Sequence, residues 1–220
     1  HAGERALNEL CPGGFKHNEQ SVRVVESIEK EGRGLNLTWE VIDGIRNHKT
    51  SGRPSTLEGQ IVRLSDKIAY INHDIDDAIR AQVLQEEDIP LKYRKVLGFN
   101  TRERLNTLIH DIIEQSWEKD DISMSPDVAE AMQGLRSFMF QSVYTNPVAK
   151  GEETKAKELL ERLFVFYLKH IDILPSYYLQ MLEEGEENDR VVCDYIAGMT
   201  DQYALAKYSE YFMPKSWQVY

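Results

Sequence analysis

The chain has 220 residues, 41% hydrophobic and 29% charged, with 37 acidic against 26 basic side chains and a formal net charge of −11. Such a chain can bury a substantial core. Its acidic balance argues against a broad nucleic-acid-binding surface, and no apolar run reaches the length of a membrane span. The two cysteines, Cys11 and Cys193, stand far apart and fit no zinc or redox spacing, so they read as reduced, buried thiols. The first residues form neither a signal nor a transit peptide, and the expected location is the cytoplasm.

Ala2 to Leu10 reads as a short helix, broken by Pro12, Gly13 and Gly14. His17 to Gly32 predicts a second helix, with Val22, Val24, Val25 and Ile28 on its apolar side. Thr38 is placed to cap a helix from Trp39 to His48, with Glu40 in its first turn. After a loop of Ser, Gly, Arg and Pro comes the longest periodic run, Thr56 to Leu84. There Ile61, Leu64, Ile68, Ile71, Ile75 and Ile79 recur at three- and four-residue steps. A second stripe on the same helix carries Arg63, Asp66, Tyr70, Asp74 and Asp77. A solvated face is usually filled with Lys, Glu and Gln. Asp is a poor helix former, so several in one helix suit a wall that lines a polar cavity.

Glu86 to Phe99 reads as a charged connector, and Thr101 opens a helix through Leu105, Leu108, Ile109, Ile112 and Ile113. Ser125 and Pro126 begin another, with proline at its favoured first position, running to about Tyr144 and stopped by Asn146 and Pro147. Glu152 to Ile171 is amphipathic, Pro175 to Leu182 is a further helix, and Glu183 to Asn188 is an acidic loop. Asp189 to Tyr208 closes the series. No strand alternation occurs, so the fold class is all-α.

The run LSDKIAYINHDIDDAI, together with HAGERALNEL, GGFKHNEQSVRVVE, GLNLTWEVIDGI, RPSTLEGQIVRL, LRSFMFQSVY and RVVCDYIAGMTDQYALAKY, resembles the HD-domain deoxynucleoside triphosphate triphosphohydrolases, the bacterial dGTPase-like family. The blocks occur in family order along the whole chain. The resemblance implies an HD-domain helical bundle with a C-terminal helical extension. Residues 1–85 would be the C-terminal part of the HD core, and residues 86–220 the helical C-terminal region. In the family a first His and a His-Asp dyad precede the HAGE block. The chain is therefore expected to be an N-terminally truncated piece that keeps only the last metal ligand, Asp66.

The resemblance also assigns roles. His1 and Glu4, three residues apart, match a catalytic histidine and its carboxylate. By spacing alone they would be an ordinary helix-face ion pair. His17 matches a histidine near the substrate phosphates, Lys67 and Tyr70 match phosphate contacts, and Asp74 matches a contact to the sugar hydroxyl. Arg136 heads a column with Phe140 and Tyr144. Its guanidinium suits a triphosphate, and Tyr144 suits a sugar or base. Arg190, Asp194, Tyr195 and Asp201 lie in a family block without a role that the residues reveal.

The implied activity of the parent protein is metal-dependent hydrolysis of a deoxynucleoside triphosphate to the deoxynucleoside and tripolyphosphate. The implied metal is divalent, such as Mg or Mn, at a site incomplete in this chain, which alone is expected to be inactive. Implied partners are the nucleotide, nucleotide effectors and further copies of the chain in a homo-oligomer. The competing reading is a non-catalytic nucleotide-binding or assembly module of the same superfamily.

Overall fold

A computed structural model of the chain describes residues 2–144 and 147–215. These residues form eleven α-helices and no strand. In chain order the helices are α1 (Ala2–Leu10), α2 (His17–Arg23), α3 (Trp39–Asn47), α4 (Leu57–Arg80), α5 (Leu91–Leu97) and α6 (Thr101–Ser116). They continue with α7 (Pro126–Met139), α8 (Pro147–Lys169), α9 (Ser176–Glu183), α10 (Asn188–Ala197) and α11 (Asp201–Phe212). Two π-helical turns extend α2 and α7, at Val24–Ile28 and Phe140–Tyr144. The all-α expectation holds.

Local chemistry explains most of the boundaries. Thr56 caps α4 by accepting from the Gly59 N–H at 3.1 Å, and Asn100 caps α6 by accepting from the Glu103 N–H at 3.0 Å. Thr38 sits at the N-cap of α3, yet its hydroxyl caps no backbone N–H. Three expectations are corrected. The second helix is α-helical only to Arg23 and then widens into the π turn. The connector from Glu86 to Phe99 contains a 3₁₀ turn at Glu86–Asp88 and the helix α5, started by Pro90 and ended at Gly98. Ile89 and Leu97 are fully buried there, so packing outweighs the charged composition. The run from Asp189 to Tyr208 is two helices. Gly198 ends α10, and Thr200 begins a new cap by accepting from the Tyr203 N–H at 3.2 Å.

The chain divides into two compact units, residues 1–36 with 151–220 and residues 37–150. In the first, Leu7, Cys11 and Phe15 pack with Leu163, Phe164 and Tyr167 of α8 and with Val191, Val192, Cys193 and Ile196 of α10. Each such side chain contributes roughly 1.5–3 kcal/mol on burial. Cys11 and Cys193 are joined by a disulfide within this core, with Cα atoms 6.5 Å apart. The expectation of free thiols is therefore overturned. The two positions are 182 residues apart, and only the fold brings α10 against the end of α1.

In the second unit Ile68, Ile71, Ile75 and Ala78 of α4 pack with Leu97, Leu108, Val128, Ala131, Leu135 and Met139. Ile61, counted in the apolar stripe, is 48% exposed, because the first turns of α4 are buried through Gly59 against Gly44 of α3 instead. The α5–α7 packing is close enough that a Cβ on Gly134 would run into the Tyr93 ring. Arg104 of α6 is fully buried. It donates to Asn72 Oδ1 of α4 at 3.1 Å and to Thr101 Oγ1 at 3.1 Å, and it pairs with Glu86. Thr101 in turn donates to Asp76 at 2.6 Å. This buried network fixes α4 along its length against α6, and so fixes the polar stripe that α4 presents on its other side.

Candidate functional site

The sequence-derived site residues fall into two neighbourhoods, one in each unit. His1 lies outside the described residues. In the first unit Glu4 of α1 and His17 of α2 meet directly. One carboxylate oxygen of Glu4 accepts the His17 backbone N–H at 2.9 Å and the Nδ1–H at 2.8 Å. A carboxylate can only accept, so the ring nitrogen facing it carries the proton. Burial raises the pKa of the Glu4 carboxyl, but the hydrogen bonds from His17 outweigh it and hold Glu4 below the usual carboxylate range. The expected partner of Glu4 was His1, and the structure adds His17 as one.

In the second unit α4 carries Asp66, Lys67, Tyr70 and Asp74 beside Arg136 of α7 and Tyr144 of the following π turn. Asp66 is exposed and Tyr70 is 45% exposed, so this face of α4 is open within its unit. Burial pulls the Lys67 ammonium below its ordinary pKa, and the cations Arg63 and Arg136 add to the effect. Burial and the carboxylates of Asp74 and Asp66 push the Tyr70 phenol up, against Arg136. Burial and Asp77 push the Asp74 carboxyl up to about 6, against His73. The Tyr144 hydroxyl donates to Asp74, and Phe140 meets the Tyr144 ring edge-on, centroids 6.1 Å apart.

Arg63 and Arg136 thus stand near Lys67, and none of the three is ion-paired to a carboxylate among the described residues. Arg63 donates to the carbonyls of Thr50 at 2.8 Å and Lys49 at 3.4 Å. Lys67 and Arg136 have no ion-pair or hydrogen-bond partner among the described residues. Three basic side chains gather here beside a phenol, itself near Asp66 and Asp74, in a chain of net charge −11. Asp77, by contrast, is a solvated residue paired with Arg80 at 3.1 Å.

A metal is a different matter. Among the described residues no group of three His, Cys, Asp or Glu could hold an ion. Asp66 supplies one carboxylate, whereas a hard divalent cation takes about six oxygen ligands. The described residues alone do not fit a metal.

Residues 122–210 match the family model of the phosphohydrolase-associated domain. The chain is 53% identical over 218 residues to a deoxyguanosinetriphosphate triphosphohydrolase-like protein of Caldanaerobacter subterraneus subsp. tengcongensis, covering 99% of this chain and 64% of that protein. A Clostridium perfringens protein of the same description is 45% identical over 224 residues, covering 98% and 65%. One of Geobacter metallireducens is 34% identical over 270 residues, covering 97% and 69%. The chain belongs to the deoxyguanosinetriphosphate triphosphohydrolase-like family. It spans a little under two thirds of the length of the first two relatives.

The structure brings Glu4 and His17 together in the first unit and Lys67, Tyr70, Asp74, Arg136 and Tyr144 near one another in the second. The sequence placed Arg63 in the α4 stripe but did not group it with Lys67 and Arg136. It also gave no role to Asp194, which is buried in α10 and binds Gln20, Arg23 and Arg190. The partners of Asp194 on α2 lie 171 and 174 residues away in sequence, and no local pattern marks such pairs. No helix among the described residues is long and apolar enough to cross a membrane.

Proposed function

We propose that the protein containing this chain hydrolyses a deoxynucleoside triphosphate to the deoxynucleoside and tripolyphosphate. The observation that supports this reading is the group Arg63, Lys67 and Arg136, none of which is ion-paired to a carboxylate among the described residues, beside Tyr70. A triphosphate neutralises such a group, and cations held beforehand at the developing charge lower the barrier to phosphoryl chemistry. Asp74, which accepts from the Tyr144 hydroxyl, is read as an acceptor for a sugar hydroxyl, with the tyrosine ring as a surface for the sugar or base. Glu4 and His17 offer a carboxylate–imidazole pair that can hold or pass a proton at Nε2, the nitrogen that does not face Glu4. Further copies of the chain and a nucleotide effector belong to the same proposal, as does a cytoplasmic location.

The metal cluster missing among the described residues favours a second reading for the isolated chain, in which it binds the triphosphate without turnover. One experiment tests both. The full-length protein and the 220-residue chain are incubated with dGTP and the other deoxynucleoside triphosphates, with Mg²⁺ or Mn²⁺, and tripolyphosphate release is followed. Release by the full-length protein, lost in Lys67→Ala, supports the enzyme. Binding of dGTP without release by either protein supports the binding module.

A further inference from the structure

The helix α2 is seven residues long, and an isolated helix of that length does not hold its shape in water. Lys16 at its N-cap offers no side-chain acceptor to the helix N–H groups, and its ammonium only pairs with Glu19 at the exposed surface, 3.0 Å away. Its anchors come from the rest of its unit. At the N-terminus, Glu4 takes both the His17 N–H and the ring. Further along, two side chains of α2 reach one buried carboxylate, Asp194 of α10. Gln20 Nε2 donates to Asp194 Oδ1 at 2.8 Å, and Arg23 Nε donates to Oδ2 at 2.7 Å. Arg190, one turn earlier in α10, donates to Oδ1 at 2.8 Å and also meets the Gln20 side-chain oxygen. Arg23 extends to Glu186 at 3.1 Å. The Asp194 side chain is wholly removed from solvent.

A buried ion-pair hub is a weak source of stability, because apolar residues of the same volume often do as well or better. What it supplies is direction. The rest of α10 packs by Val191, Val192, Cys193 and Ile196, none of which fixes the rotation of a neighbouring helix. Asp194 does, because its two oxygens receive donors from successive turns of α2. Gln20 and Arg23 lie about 4.5 and 9 Å along the axis from His17, by the rise of a helix. A rotation of α2 about that axis would break the Asp194 bonds and swing the His17 ring off Glu4.

We propose that Asp194 is the positioning residue for His17, acting through Gln20 and Arg23 to hold the imidazole on the Glu4 carboxylate. Its link to catalysis rests on the reading of Glu4 and His17 as the proton-handling pair of the proposed hydrolase, whereas its geometric content does not.

The test uses the full-length protein with Gln20→Met, which removes one donor and leaves both arginine pairs, and with Asp194→Asn. Gln20→Met is expected to fold as the wild type by circular dichroism. Its His17 ring signals in ¹H–¹³C spectra should move toward those of an unstructured histidine, and the His17 amide should exchange about tenfold faster. Turnover of dGTP should fall about tenfold in kcat with KM within twofold, with kcat referred to the folded fraction measured by circular dichroism so that lost stability does not imitate the effect. Asp194→Asn should show the same changes more strongly. If it does not fold, Gln20→Met still decides. A folded Gln20→Met whose His17 ring and amide match wild type overturns the proposal and leaves Asp194 as packing alone. A displaced His17 with unchanged kcat, or a wild type that does not turn over dGTP, defeats the site reading and leaves the geometric role of Asp194 standing.

Discussion

One oxygen of the Glu4 carboxylate accepts two hydrogen bonds from His17, the backbone N–H at 2.9 Å and the ring N–H at 2.8 Å. Glu4 is thereby the N-terminal cap of α2, supplied from another helix. Loss of a cap acceptor costs about 1 kcal/mol, so Glu4→Ala should lower stability by about that amount. The carboxyl is held below its usual range in the folded chain, so its contribution is present above the unfolded value of 4.5 and is lost as the pH falls through the lower folded value. Urea unfolding of wild type and Glu4→Ala should differ at pH 7, and the difference should shrink as the pH falls below 4.5. A constant difference down to pH 3 would remove the ionised cap from the account.

Asp74 gives the opposite sign. Burial and Asp77 raise its carboxyl to about 6 from the ordinary 3.8, so the folded chain holds a proton that the unfolded chain has released. Stability from this group is full below 3.8 and is lost as the pH rises to about 6. Asp74→Asn keeps an acceptor for Tyr144 and carries no charge. It should be neutral at pH 3.5 and stabilising above pH 7, by about 1 kcal/mol after allowance for the solvent that reaches the group. Thermal unfolding of both proteins across this range reads the effect. A flat difference between pH 4 and 7 would contradict the raised carboxyl.

The group Arg63, Lys67 and Arg136 predicts a trade between stability and binding. Lys67 has no carboxylate partner and suffers both burial and like charge. Lys67→Ala should leave unfolding stability within about 0.5 kcal/mol of wild type or raise it, the range of substitutions that break no native contact. The same change should weaken tripolyphosphate binding by about tenfold, and Arg136→Ala by as much or more, because a guanidinium can grip two phosphate oxygens. Calorimetric titration of tripolyphosphate into the full-length variants supplies the comparison. Destabilisation by more than 1 kcal/mol with unchanged affinity would make Lys67 a structural residue.

The long helix α4 was legible because two stripes of different chemistry run along one 24-residue helix, and its Asp and Tyr content has no solubility rationale. What escaped the sequence shares one property, which is dependence on partners far along the chain. Arg23 and Asp194 are 171 residues apart, and neither has a local motif. The helix α5 hid in a charged segment because Leu97 alone in it is fully buried, with Ile89 buried just before it. The π turn at Phe140–Tyr144 broke the expected four-residue column, since a π turn holds more residues than an α turn. Phe140 points out at 61% exposure while Tyr144 turns in to Asp74. The four-residue column named Tyr144 in the sequence but did not foresee that it and Phe140 would part.

Metal binding should separate the isolated chain from the protein that contains it. With Asp66 as a single exposed carboxylate and no three-ligand group among the described residues, Mn²⁺ should bind the 220-residue chain no more tightly than about millimolar, as expected for isolated surface carboxylates. Asp66→Ala should leave that weak binding unchanged within error. Micromolar binding by the chain alone, abolished in Asp66→Ala, would show that its residues complete a site after all.

The disulfide makes the last prediction. Cys11 and Cys193 close a loop of 182 residues, and the chain-entropy treatment gives about 5 kcal/mol as the upper value for a loop of that size. Both sulfurs lie inside the first unit's core, with Cys11 5% and Cys193 0% exposed, so the reduced thiols would still pack as small apolar groups. Reduction should therefore leave the helix content intact while lowering the thermal midpoint of the unit by about 10 °C. Protein purified without reductant and then denatured should titrate no thiols, and two after dithiothreitol. Cys11→Ala should match the reduced wild type in midpoint whether or not reductant is present, because it removes the bond and little packing. Two titratable thiols in the unreduced protein would return Cys11 and Cys193 to neighbouring packed thiols, and the tie between α1 and α10 would then rest on Leu7, Phe15 and the apolar face of α10 alone.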